Sequence, residues 1–147
     1  GYTAVAPDLI PTGEIIDVAG TAFDFRQPRR IGEARAAGAA AGTLPCAGFD
    51  NNFCVRGTGL REQLRLTSPD GLQLTVISDT PGIQIYDGSG LAETAVSGQG
   101  TPFEAFAGVA IEPQEYPDAP NQPTFPSTVL RPGGEYRRTT QWLLSQV

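Results

Sequence analysis

Glu112 closes a strand-like run, GVAIEPQEYPD, and a proline-dense segment, PNQPTFPS, follows close behind it. A carboxylate held at the end of a strand can take the proton from a hydroxyl as a general base. Pro113 biases the preceding residue toward extended backbone, so the position of Glu112 is restricted from its C-terminal side. Alternation along FAGVAIEP puts Val109 and Ile111 on one face, and Gly108, Ala110 and Glu112 on the other. That second face is nearly bare beside its carboxylate, which leaves room for a small molecule over the strand. The same pattern also fits an ordinary solvated glutamate, the commoner state for this residue type.

Two further stretches carry polar chemistry. In PGIQIYDGSG, Gln84 and Tyr86 share a face and present an amide and a phenol, groups that bind hydroxyls. The segment CAGFDNNFCV gathers Asp50, Asn51 and Asn52 between Phe49 and Phe53 and reads locally as a polar turn with aromatic flanks. Histidine, lysine and methionine are absent, so proton chemistry must rest on carboxylates or on groups from another chain. Cys46 and Cys54, eight residues apart, fit a disulfide or two free thiols equally. With no CxxC spacing and no histidine, neither a metal site nor a cofactor is expected.

The elements that must hold these residues are strands. The 147 residues suit one all-β segment, in which 18 glycines and 13 prolines punctuate short apolar runs. Alternation predicts a half-buried strand through TAFDFRQPRRIG, with Phe23 and Phe25 on one side, and extended chain with turns through the first 20 residues. GEARAAGAAAG predicts a short helix or a loop. LRLTSPDGLQLTVIS predicts a hairpin, since Pro69, Asp70 and Gly71 form a turn between two alternating runs. A second hairpin is predicted through STVLRPGGEYRRTTQWLLS, turning at Pro132–Gly134.

Charge and hydropathy narrow the function classes. The formal charge is −6 and the ten arginines are scattered, which argues against a nucleic-acid partner. No apolar run approaches the roughly 20 residues of a membrane span, and no signal-peptide pattern opens the chain, so a soluble protein is expected, cytoplasmic or periplasmic/secreted. The lack of methionine predicts a leader, a tag or a larger N-terminal portion upstream.

In order, LIPTGEIIDVAGTAFDF, GFDNNF, TPGIQIYDGSG and IEPQEYPDAPNQPTFPSTVLRPGGEY resemble the C-terminal portion of the aldose 1-epimerase (galactose mutarotase) family. The last stretch is the most specific, and it argues against the related hexose-6-phosphate epimerases, which are expected to show phosphate-binding positive residues instead. The resemblance implies an all-β fold, the C-terminal part of a β-supersandwich, and interconversion of the α and β anomers of a free hexose such as galactose or glucose. It places the family's general base on Glu112, its sugar-binding aspartate on Asp50 and a substrate-contacting glutamine on Gln84. It also implies that the general-acid histidine, a second sugar-site histidine and a substrate-binding arginine lie N-terminal to this region. Two positions where the family often has histidine are Asn51 and Glu115 here. A companion is therefore expected: an N-terminal fragment or separate subunit supplying the acid, or a self-associated copy. The alternative is a non-catalytic carbohydrate-binding module of the same fold.

Overall fold

The computed structural model describes residues 1–94 and 96–147. Two antiparallel sheets carry the chain. The first orders its strands β2-β1-β3-β6-β7, from β1 (Tyr2–Val5), β2 (Pro11–Ile16), β3 (Asp50–Cys54), β6 (Gly82–Tyr86) and β7 (Ala110–Gln114). The second is β4-β5-β8, from β4 (Arg61–Thr67), β5 (Leu72–Ser78) and β8 (Thr140–Gln146). Among the described residues, helix is confined to α1 (Ile31–Ala41), the single turn α2 (Leu91–Thr94) and a 3₁₀ turn at Ala119–Asn121. The fold is thus predominantly β, as expected.

The SPDG hairpin forms as the turn chemistry predicts: Gly71 has φ 88°, a conformation only glycine takes easily, and its N–H bonds the Ser68 carbonyl at 3.1 Å. The helix candidate also forms, as α1, and ends before Gly42. Three local expectations fail.

The TAFDFRQPRRIG stretch is not a strand. Thr21 Oγ1 accepts from the Phe23 N–H at 3.0 Å and Asp24 Oδ1 from the Arg26 N–H at 3.3 Å, so side chains hold the backbone in turns that compete with a ladder. Phe23 and Phe25 nonetheless reach one core, where both rings meet Phe49 and Phe53. The polar turn expected around Asp50–Asn52 is instead β3, which runs between β1 and β6. Two paired neighbours outweigh the low strand propensity of Asp and Asn.

The C-terminal hairpin does not form either. The turn at its apex is made, with the Gly134 N–H on the Arg131 carbonyl at 2.9 Å. No strand precedes it, however, and β8 pairs with β5 over seven residues, from Leu72↔Gln146 to Ser78↔Thr140. A complete ladder with β5 leaves β8 no reason to fold back on Val129 and Leu130, which stay exposed.

The first sheet is apolar on one face and polar on the other. On the apolar side Phe23 stacks on Tyr2 with ring centroids 4.0 Å apart and meets Phe49 edge-on at 5.4 Å, while Ala34 of α1 packs on the same cluster. Arg61 ties the two sheets together. Its guanidinium donates to the carbonyls of Arg56, Gly59, Val55 and Thr80 at 2.7–3.2 Å, and Gln63 adds a bond to Thr80 at 2.8 Å.

Candidate active site

Register alone assembles the polar face. Asn52 pairs with Gln84, and Gln84 with Glu112; one step along, Asp50 pairs with Tyr86, and Tyr86 with Ala110. Residues directly opposite in an antiparallel pair share a face, and so do residues two apart on one strand. Asp50, Asn52, Gln84, Tyr86, Ala110 and Glu112 therefore line one side of three adjacent strands. Ile83, Ile85 and Ile111 line the other. The alternation expected of the Glu112 run is correct, although β7 begins at Ala110 and not at Gly108.

Gln84 Nε2 donates to Asp50 Oδ1 at 2.7 Å, which fixes the amide and leaves the rest of the carboxylate for other donors. Glu112 is exposed on β7, the edge strand of the sheet. Edge placement suits Pro113, whose missing N–H breaks no interior ladder. Tyr86 is less available than its type suggests, because its hydroxyl accepts the Gly90 N–H at 2.7 Å and anchors the loop leaving β6. Asp50, Gln84 and Glu112 thus lie on one surface, and Tyr86 forms its rim.

The proline-dense segment after β7 folds back across this face as a cover. Tyr116 lies over Gly82: a β-carbon there would collide with Asn52 Oδ1 and come within 2.9 Å of the Tyr116 ring, so only glycine fits. The ring meets Phe125 edge-on at 5.3 Å. Burial, reinforced by a hydrogen bond with the Cys54 thiol, pushes the Tyr116 phenol up; burial likewise raises the Cys54 thiol. Further on, Asp118 takes φ 59° and accepts from the side-chain amides of Asn121 and of Gln122, the latter at 2.8 Å, which lowers its carboxyl. Gln122 also donates to the Pro11 carbonyl at 2.9 Å, and Thr124 to Gly13 at 2.9 Å, pinning the cover to β2.

Several of these residues carry no local sign of their role. The Asp118–Asn121–Gln122 cluster follows a recognisable turn pattern, but its seat on β2 lies more than a hundred positions away. Arg138, which holds Glu115 through Nε at 2.7 Å, is likewise invisible without the fold. Asn51 is 1% exposed and packs beneath the sheet. Cys46 and Cys54 are both free thiols.

The two antiparallel sheets form part of a β-supersandwich of the galactose mutarotase type. The family model described as aldose 1-epimerase matches residues 1–142, and the chain belongs to that family. It is 38% identical over 146 residues to the galactose mutarotase of Homo sapiens, covering 98% of this chain and 41% of that protein. It is 34% identical to the aldose 1-epimerase of Escherichia coli, with 96% and 41% covered. A solved GalM/aldose epimerase homologue from C. elegans superposes with a TM-score of 0.85 at 28% identity, over 99% of this chain and 43% of that one. The chain therefore spans about two-fifths of the length of the relatives it matches.

Proposed function

We propose that these residues form the C-terminal part of one epimerase domain that interconverts the α and β anomers of a free hexose such as galactose or glucose. Glu112 is the general base and Asp50 and Gln84 are sugar ligands. Glu112 takes the proton of the anomeric hydroxyl while an acid delivers one to the ring oxygen. The bond from C1 to the ring oxygen breaks, the open aldehyde rotates about C1–C2, and the reverse steps close the other anomer. No cofactor enters this scheme, because no net oxidation or group transfer occurs.

The observation that carries the reading is the Asp50–Gln84 hydrogen bond of 2.7 Å on a polar face whose next strand places Glu112 opposite Gln84. Asp50 and Gln84 grip hydroxyls, and Glu112 stands on the same face beside the small Ala110.

In this reading the acid is the histidine that the family resemblance implies, and the chain contains none. A companion resembling the N-terminal part of the relatives would supply it and would cover apolar surface that is open here. Trp142 and Leu144 share one face of the second sheet, over the buried Val76, and are 50% and 70% exposed. A cleft of about 1240 Å³, lined by Phe25, Phe53, Leu64, Leu66, Ile83 and Ile85, opens over the apolar face of the first.

Polarimetry on α-galactose and α-glucose, with and without a histidine-bearing N-terminal portion, tests this. Acceleration only with both parts present is expected. The lack of a histidine favours one second reading, a carbohydrate-binding module. In that case aldose would raise the melting temperature while the assembled protein left mutarotation at its spontaneous rate.

A further inference from the structure

Four strands place a polar row across the face, buried at its Thr3 and Asn52 end. Tyr2 pairs with Phe53, which sets Thr3 beside Asn52; Asn52 pairs with Gln84, and Gln84 with Glu112. Thr3 and Asn52 are each 1% exposed. Thr3 Oγ1, Asn52 Nδ2, Asn52 Oδ1 and Gln84 Oε1 are all buried and make no hydrogen bond within the described protein. Leaving a buried polar group unpaired is costly, and four beside one another would be a heavy burden in a sheet interior. Exchanging the oxygen and nitrogen of the Asn52 amide cures nothing, since both atoms lack a partner. Gln84 cannot be reversed either, because its oxygen would then face the Asp50 carboxylate.

We infer that Thr3, Asn52 and Gln84 share an ordered internal water under the Tyr116 cover, and that Thr3 and Asn52 are positioning residues that act on the sugar through Gln84. Thr3, Asn52 and Gln84 are cross-strand neighbours on one face, and polar groups that do not bond one another directly can be bridged by a water. Such a water needs two to four polar partners, and this row supplies a hydroxyl, an amide donor and an amide acceptor. Held from its oxygen side by the water and from its nitrogen side by Asp50, the Gln84 amide has one orientation. Asp50 in turn keeps its second oxygen free for a sugar hydroxyl. The effect on sugar rests on the reading of Asp50 and Gln84 as ligands, whereas the water does not.

Water-to-amide cross-relaxation by NMR on the purified protein, combined with an aldose titration, tests both parts. The side-chain amide protons of Asn52 and Gln84, assigned through Asn52→Leu and Gln84→Glu, should show transfer from a long-lived water. Thr3→Val, which keeps the shape of threonine, should abolish that transfer and weaken aldose binding about tenfold, the loss of roughly one hydrogen bond. Thr3→Ser should restore both. Absence of transfer in the parent protein, or its persistence in Thr3→Val, overturns the inference. A parent protein that shows the transfer but binds no aldose instead overturns the sugar reading and leaves the water in place.

Discussion

Glu112 and Asp50 differ in what holds them, and substitution should show it. Glu112 is exposed on an edge strand, so Glu112→Gln should leave stability within about 0.5 kcal/mol of the parent. It should cost the assembled enzyme about 10²–10⁴ in kcat, measured by polarimetry, because a base that cannot ionise takes no proton. Asp50 is bonded to Gln84 at 2.7 Å, and Asp50→Ala strands an amide whose oxygen is already buried. It should lower stability by about 1.5–3 kcal/mol in urea unfolding, as well as weaken aldose binding. Roles at this scale were only partly legible in the sequence. The alternation of FAGVAIEP does set Glu112 opposite Ile111. Nothing local distinguishes Asp50, on the polar face, from Asn51, buried in the sheet; only the resemblance did.

Among the elements, the cover from Tyr116 to Phe125 has the most specific chemistry. The Cys54 thiol and Tyr116 phenol both ionise at higher pH folded than unfolded, chiefly through burial. Their contribution to stability is therefore complete below the unfolded cysteine value, about 8.5, and is lost as pH rises through the folded values. Hydrogen-exchange protection factors of the cover amides, with the intrinsic base-catalysed rate divided out, should fall above about pH 8.5, and the first part of that fall should vanish in Cys54→Ala. Gly82→Ala forces a methyl against Asn52 and the Tyr116 ring and should cost about 1–3 kcal/mol, read by thermal unfolding. Turns with proline, aspartate and glycine at fixed places, such as Ser68–Gly71, could be read directly. The final hairpin could not: β8 chose β5, a partner more than sixty residues away, over the adjacent run. The Phe23 strand failed for a related reason, since period two in a short run also suits two aromatics that drop into one core from a chain of turns.

For the whole molecule, the question is what lies against the open apolar surfaces. Trp142 is the single tryptophan and is 50% exposed on β8, on the same face as Leu144. If a companion covers that face, tryptophan emission should shift to the blue on mixing, and a dye that binds apolar surface should be displaced. Net charge and the lack of any basic block already argued against nucleic acid. Among the described residues no helix is long and apolar enough to cross a membrane. The family and the β fold could be read from ordered motifs spread over nearly the full chain. The proposal of a companion rests, in the sequence, on the missing histidine and, in the structure, on the exposed Trp142 and Leu144.

The most direct measurement is polarimetric mutarotation of α-galactose by this chain joined with a histidine-bearing N-terminal portion, comparing Glu112 with Glu112→Gln. Acceleration over the spontaneous rate that falls by about 10²–10⁴ in the variant is the predicted result. Full activity in Glu112→Gln would contradict the assignment of Glu112 as the base.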